Sequence, residues 1–340
     1  MSKSNVKIVK NRATNKKFVD ICKMNQIELK SFLNDELAKY YKNVIAQDGF
    51  LYAKGKDKIC LTAHMDTVHK NKIKTFVEER GENIKISSPQ GIGGDDRCGI
   101  YMILEILERT NFRPTILFCE DEEIGLVGSR KFTNTKFIKD LSKMFYLIEL
   151  DRKGNNDLVF YSDTNEEFHK YLEDLTGYNT AWGSCSDISN LSPACKVASV
   201  NISCGYYNQH TKDEFVILEE MEYSIGIVIK MIKDALKNKK KFEYKERVYT
   251  YSRYDGYDYY DSMWAKYLRK ADNNNEDYTL WVSYMGEIDE ENAIYHGSDI
   301  DAMWGKFFQE HESICMNDVL DYDYFSSKYD EYYGIKEDAI

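Results

Sequence analysis

Short apolar segments alternate with helical ones through the first 240 residues, and this alternation limits the fold more than any other feature. The segments rich in β-branched and aromatic residues lie at 56–63, 113–119, 143–150, 157–162 and 196–204. Residues 97–109 and 215–237 carry apolar side chains at helical spacing. We therefore predict an α/β fold with a mixed, mostly parallel sheet covered by helices on both faces.

The last hundred residues differ in composition from the rest of the chain. Residues 241–340 contain 16 of the 27 tyrosines, three of the four tryptophans, and 23 acidic against 10 basic residues. So many aromatic side chains can bury a small core, which argues against plain disorder. We predict a catalytic domain over 1–240 and an acidic, aromatic-rich C-terminal module over 241–340. The module could be a lid, a partner-binding surface or, as we favour, a homo-oligomer contact.

Charge and hydropathy exclude several classes of partner. The net charge of −11 argues against nucleic acid, because phosphate binding needs clustered lysine and arginine. No run approaches the roughly 18 consecutive apolar residues of a membrane span, and the first residues lack the apolar segment of a signal peptide. The eight cysteines form no CxxC pair. These features predict a cytoplasmic protein with reduced thiols and no membrane partner.

Five polar motifs end or follow the predicted strands, where open α/β sheets place their functional groups. They are Ala63-His64-Met65-Asp66-Thr67, Gly94-Asp95-Asp96-Arg97, EDEEIG at 120–125, Glu149-Leu150-Asp151 and Gln209-His210-Thr211. Each alone is weak, because such short patterns occur often by chance. Together they supply two imidazoles and three carboxylates, the inventory of a site for two divalent metal ions. The candidate ligands are His64, Asp95, Glu123, Asp151 and His210.

Two further acidic residues have a use in such a site. Asp66 lies two positions beyond His64, so in an extended segment it can accept the second N–H of the imidazole and fix its tautomer. Glu122 lies beside Glu123 but points elsewhere, as a general base for a metal-activated water requires. Asp66 and Glu122 are therefore the predicted catalytic residues.

The motifs resemble those of the co-catalytic zinc exopeptidases, the group that includes the M28, M20 and M42 metallopeptidases. AHMDTV, GGDDRCG, EDEEIGLVGS, ELD and NQHTKDEF occur in that group's order, over about residues 45–235. The resemblance implies two ligand pairs and a bridging carboxylate, namely His64 with Asp151, Glu123 with His210, and Asp95 between them. Asp66 and Glu122 match the group's supporting aspartate and general base.

The spacing of the motifs favours one branch of this group. Only 59 positions separate Asp151 from His210, which leaves no room for the dimerisation domain of M20 enzymes. Glu123 and Asp151 are 28 positions apart, and His64 and Asp95 are 31 positions apart. These gaps leave little space for the inserted domain of M42 enzymes. The layout looks most like M28. The Ser-Asp stretch within 183–187 also resembles one that lines the substrate pocket of M28 enzymes.

The resemblance implies a di-zinc metallohydrolase that cleaves a terminal peptide bond of short peptides, with an aminopeptidase favoured. Zinc is expected, although such ligands also accept manganese or cobalt. Arg152 and Lys153 follow Asp151 and could favour an anionic group on the substrate. A carboxypeptidase, or an amidohydrolase or deacylase acting on an N-acyl amino acid, therefore stays open. A binding or assembly protein that kept the fold without the activity is the remaining alternative.

Other residues near the motifs have structural interpretations. His69 follows the first motif, but the ligand set is complete without it. The glycines of 91–94 lack the Lys-Ser/Thr of a phosphate-binding loop, and they favour a close backbone turn around Asp95. Tyr206 and Tyr207, shortly before His210, could flank a substrate side chain or pack in the core.

Overall fold

The computed structural model describes the backbone of residues 6–9 and the whole of residues 16–246. The predicted C-terminal module beyond residue 246 lies outside the described residues. The helices are α1 (Lys16–Cys22), α2 (Gln26–Ala38), α3 (Gly94–Arg109), α4 (Val127–Thr133), α5 (Ile138–Leu141), α6 (Glu166–Thr176), α7 (Asp187–Cys195) and α8 (Leu218–Asn238).

Thirteen strands form two sheets within the described residues. They are β1 (Val6–Val9), β2 (Val44–Gln47), β3 (Phe50–Ala53), β4 (Asp57–His64), β5 (Phe76–Arg80), β6 (Ile84–Ser87), β7 (Pro114–Cys119), β8 (Leu147–Arg152), β9 (Asp157–Val159), β10 (Asn179–Ala181), β11 (Ser199–Ser203), β12 (Tyr206–Tyr207) and β13 (Phe215–Ile217). The larger sheet has the order β10-β9-β11-β8-β4-β7-β3-β2, and the smaller one the order β1-β5-β6-β13-β12.

The larger sheet is parallel at its centre. Strands β7, β4, β8 and β11 run in one direction, so their carboxyl ends meet at the same edge. The pairs β2–β3, β3–β7 and β9–β11 are antiparallel and lie towards the two sides. The smaller sheet is antiparallel throughout. The predicted mixed, mostly parallel sheet is confirmed.

Successive side chains of a strand point to opposite faces of a sheet. Both faces of the larger sheet are buried, each in its own hydrophobic cluster. In β4, Ile59 and Leu61 enter one hydrophobic cluster with residues of α1, α2, α3 and α8. Cys60, between them, enters a second cluster with residues of α4, α5 and α7. Helices therefore cover the sheet on both sides, as predicted.

Several predicted elements have different bounds in the structure, and β8 and α8 are two examples. Residues 143–146 precede β8 and are not part of it, and the strand continues to Arg152. The segment predicted as a single helix from residue 215 begins as β13, which pairs with β6, and the helix starts at Leu218. Short apolar runs fit either structure, and here pairing with a neighbouring strand decides the outcome.

The described chain continues along the larger sheet after α8. Phe242 is buried, and its backbone exchanges hydrogen bonds with Phe145 and Ala198. Residues 243–246 bond to the loop around Asp163. Among the described helices, none has the length and apolar content needed to span a bilayer.

Candidate active site

Four of the predicted site residues lie at or just after the ends of neighbouring strands. His64 is the last residue of β4, Asp151 lies near the end of β8, and Glu122 and Glu123 lie in the loop that follows β7. Because these three strands are parallel neighbours, their side chains project from one edge of the sheet. His210 reaches the same edge from the loop between β12 and β13.

The predicted ligands form two groups that share Asp95. In the first, His64 Nε2 lies 2.9 Å from Asp95 Oδ1 and 3.5 Å from Asp151 Oδ1. In the second, His210 Nε2 lies 3.0 Å from Glu123 Oε2 and 3.4 Å from Asp95 Oδ2. The candidate donor atoms of each group lie within 4.8 Å of one another. The structure thus places all five predicted ligands side by side.

Asp95 occupies an irregular start of α3. Gly93 before it has a φ of +63°, and Asp95 and Asp96 have non-helical backbone angles. The carboxylate of Asp96 is buried and accepts hydrogen bonds from the backbone N–H groups of His64 (3.1 Å) and Gly99 (2.9 Å). Asp96 therefore ties the end of β4 to the loop that carries Asp95, a link that the sequence motif does not reveal.

Asp66 connects the histidine to the glutamate pair. Its Oδ1 lies 3.1 Å from His64 Nδ1, as the spacing predicts. The same carboxylate accepts the backbone N–H groups of Glu122 and Glu123, each at 3.0 Å. These bonds leave His64 Nε2 directed at the carboxylates of the first group.

The side chain of Glu122 has a different environment from that of Glu123. Among residues 16–246 its carboxylate has no hydrogen-bond or ion-pair partner, although the residue is only 8% exposed. Burial raises the pKa of Glu122 well above its usual value, His64 opposes this shift, and Glu123 and Asp151 add to it. A buried carboxylate with a raised pKa and no bonded partner suits a proton acceptor.

Three polar side chains surround Asp151 in contacts that the sequence analysis did not predict. Ser186 Oγ donates to Asp151 Oδ2 at 2.8 Å, and the Tyr206 hydroxyl lies 3.3 Å from Oδ1. The side chain of Asn201 accepts the backbone N–H of Asp151 at 2.9 Å. Tyr206 therefore supports Asp151 through its hydroxyl. These contacts join β8, β11 and β12 and could not be read from local motifs.

The donor set fits divalent cations. The side chains of Asp95, Glu123 and Asp151 are 4–9% exposed, and no described lysine or arginine lies within 4.0 Å of them. Buried carboxylates need compensating positive charge. Burial lowers the pKa of His64, but hydrogen bonds with Asp151, Asp66 and Asp95 more than offset this and raise it well above its usual value.

The pKa of Glu123 also indicates that its carboxylate lacks a compensating positive charge. Burial raises its pKa to about 7, Asp95 adds to the shift, and His210 opposes it. Cations next to the three carboxylates would favour their ionised forms.

Comparison with known proteins agrees with this geometry. Residues 43–190 match the sequence model of peptidase family M28. The predicted resemblance to the co-catalytic zinc exopeptidases, with a layout closest to M28, is confirmed, as is the prediction of a metal-dependent exopeptidase. No curated protein matches the chain in sequence.

Solved structures show the same fold. Aminopeptidase PepT from Bacillus cereus superposes with a TM-score of 0.52 at 16% identity, covering 67% of this chain and 99% of that chain. A tripeptidase from Staphylococcus aureus superposes with a TM-score of 0.52 at 14% identity, covering 65% of this chain and 97% of that chain. At these identities the likeness concerns the fold.

Arg152 and Lys153, which follow Asp151, have different surroundings. The Arg152 guanidinium lies 3.0 Å from Asp157, so its charge is already compensated. The ammonium group of Lys153 has no hydrogen-bond or ion-pair partner within 4.0 Å among the described residues. Desolvation and Arg152 lower the pKa of Lys153, and Asp157 and Asp95 oppose this, so the Lys153 ammonium group interacts with the negative charge of Asp95 in the candidate site.

Asp187, from the Ser-Asp stretch, lies inside the protein below the same edge. It begins α7 and is fully buried. Burial raises the pKa of Asp187 to about 6, opposed by Ser129, His64 and Cys119. The stretch also carries Ser186, the donor to Asp151, so it contributes support to the site.

Proposed function

We propose that this chain is a di-metal hydrolase that cleaves a terminal peptide bond of short peptides, with Glu122 as general base. The observation that carries the proposal is the position of Asp95, whose two carboxylate oxygens face two separate ligand groups. The charge of the Glu122 carboxylate interacts with members of both groups. His64 and Asp151 would hold one ion, and Glu123 and His210 the other. Zinc is the ion expected, with manganese or cobalt as alternatives.

Residues of this chain would accept and return the proton of the attacking water. Two divalent cations, when bound, would polarise the substrate carbonyl and acidify the attacking water. Glu122 takes the proton from that water and returns it to the departing amine, since the same carboxylate can serve in both directions. Asp66 accepts the Nδ1–H of His64 and keeps Nε2 deprotonated for ligation.

The carboxylates of the site favour a substrate with a free amino group. The described cluster contains Asp95, Glu122, Glu123 and Asp151 and no lysine or arginine in contact with them. A positively charged amino terminus is attracted to such a site. The M28 match and the neighbours named aminopeptidase and tripeptidase also support peptide substrates. We therefore favour an aminopeptidase.

The direct test combines metal analysis with a substrate panel. We expect about two metal ions per purified chain, and hydrolysis of free-amine peptides that a chelator abolishes and zinc, manganese or cobalt restores. N-acylated amino acids and amino-terminally blocked peptides serve as the comparison. Faster turnover of these blocked substrates would indicate a deacylase or carboxypeptidase. A chain that binds no metal and cleaves nothing after metal addition would instead be a binding or assembly protein.

Lys153 gives a reason to expect that the substrate also has a free carboxylate close by. The Arg152 guanidinium is paired with Asp157. Of these two basic residues, Lys153 is therefore the one whose charge can bind an anionic group on the substrate. A dipeptide or tripeptide carries such a group close to its scissile bond, and so does an N-acyl amino acid. The preferred substrates are therefore expected to be very short.

Replacing Lys153 by methionine should raise KM for a dipeptide or tripeptide about tenfold, the size of one charge-assisted hydrogen bond of roughly 1.5 kcal/mol. The same peptides with an amidated carboxyl terminus should show little change, and Lys153→Arg should retain most of the affinity. Steady-state kinetics on acid and amide pairs measures this. Equal changes for acid and amide would show that Lys153 does not contact the carboxylate.

The cytoplasmic location, the division at residues 240 and 241, and a homo-oligomer formed through 241–340 remain proposals. The aromatic composition of 241–340 supports a folded module with an aromatic surface that binds another protein chain.

A further inference from the structure

A carboxylate outside the proposed ligand set lies directly behind Asp95. Glu214 lies four residues after His210 and immediately before β13, and it is fully buried. Its Oε1 accepts the backbone N–H of Asp95 at 3.0 Å, and its Oε2 accepts that of Gly93 at 2.9 Å. Both oxygens of this side chain are thus used to hold the loop that delivers Asp95.

His69 completes the contacts of this carboxylate. Its Nε2 lies 2.7 Å from Glu214 Oε2, and its side chain is 11% exposed. The neighbouring loop is shaped around the pair, because a Cβ atom on Gly91 would lie 2.2 Å from the His69 ring and Gly91 has a φ of +80°. The glycine-rich turn therefore allows the backbone to approach both side chains closely.

Three segments that carry proposed ligands meet at this carboxylate. They are residues 64–69, which begin with His64, residues 91–95, which end with Asp95, and residues 210–214, which begin with His210. We propose that Glu214, oriented by His69, is a positioning residue that fixes Asp95 between the two imidazoles. This inference rests on the proposed di-metal site.

The geometry requires a carboxylate at position 214. The backbone N–H groups of Asp95 and Gly93 are both donors, and each faces a different oxygen of Glu214. A glutamine of the same shape has one oxygen and an NH₂ group, so it can accept from one of the two and opposes the other. Glu214→Gln therefore releases one anchor of the Asp95 loop without changing the volume of the side chain.

The test measures zinc affinity of the full chain after chelator treatment, by isothermal titration calorimetry. We expect Glu214→Gln to weaken at least one of the two binding events by about 10–100-fold, the usual effect of removing a residue that orients a metal ligand. Glu219→Gln is the matched control. Its carboxylate also accepts a backbone N–H, that of Ile84 at 2.7 Å, but it is exposed and contacts no ligand-bearing loop.

A second variant keeps the test decisive if Glu214→Gln does not fold, as judged by circular dichroism. His69→Phe removes the contact to Glu214 while retaining a ring, and should weaken zinc binding in the same direction by a smaller factor. Unchanged zinc affinity in a folded Glu214→Gln, or in His69→Phe where Glu214→Gln does not fold, would overturn the inference. If the unsubstituted chain binds no zinc, the proposed function itself fails, which is a separate outcome.

Discussion

Replacing Glu122 by glutamine is expected to lower kcat by about 10²–10⁴-fold while the metal content stays unchanged. Glutamine retains the size of the side chain and the backbone N–H that Glu122 donates to Asp66 at 3.0 Å. It cannot accept a proton from water. Because the Glu122 carboxylate has no hydrogen-bond or ion-pair partner in the described part of the chain, its replacement by an amide of the same shape breaks no such contact there. The loss should therefore fall on turnover.

Glu120→Gln provides a matched control from the same loop. Glu120 is also buried, but its carboxylate faces Lys30 at 2.7 Å and the backbone N–H of Gly49, away from the proposed ligands. We expect kcat of this variant to stay within a few-fold of the unsubstituted enzyme. Steady-state kinetics with elemental analysis of the same samples makes the comparison. A metal-loaded Glu122→Gln variant with normal kcat would exclude Glu122 as the base.

The placement of the proposed ligands followed from the sequence because most of them end parallel strands. His64 and Asp151 directly follow buried apolar residues of β4 and β8, and Glu123 lies shortly after β7. Parallel neighbours carry such residues to one edge of the sheet whatever the details of packing. Local pattern was therefore enough to predict which side chains meet there.

The residues that support the site could not be predicted in this way. Asn201, Asp96 and Glu214 act through backbone N–H groups of segments far from them in sequence. Such bonds depend on the path of loops, which no periodicity records. Glu214 was within the quoted NQHTKDEF motif, yet nothing in the motif indicates that its carboxylate turns back to Gly93 and Asp95.

The smaller antiparallel sheet was missed for a related reason. Strand β5 ends in three consecutive charged residues, β6 has only four residues, and β13 has only three. Each is stable as a strand only because its neighbours supply hydrogen bonds. β12 and β13 also hold the two ends of the loop that carries His210. The sheet therefore contributes to the site although its own sequence signal is weak.

Asp95→Asn is expected to reduce the zinc bound from about two ions per chain to about one, and to lower kcat/KM by more than roughly 100-fold. The reason lies in the two oxygens of Asp95. Oδ1 lies 2.9 Å from His64 Nε2, and Oδ2 lies 3.4 Å from His210 Nε2. Asparagine has a single oxygen, so it can serve one ligand group, and its NH₂ group faces the other. An amide also lacks the negative charge that two adjacent cations require.

Elemental analysis and zinc titration of folded Asp95→Asn protein measure this effect, with Asp213→Asn as the control. Asp213 lies in the same loop as His210 but is exposed, so its substitution should leave both ions bound. Two ions held by Asp95→Asn at normal affinity would mean that Asp95 does not bridge them. Loss of one ion together with weaker binding of the other would indicate a carboxylate shared by both groups, whereas loss of one ion with normal affinity for the other would indicate a ligand of a single site. The same titration on Glu214→Gln should then show a weaker form of the Asp95→Asn defect, because that variant loosens the bridging residue without removing its charge.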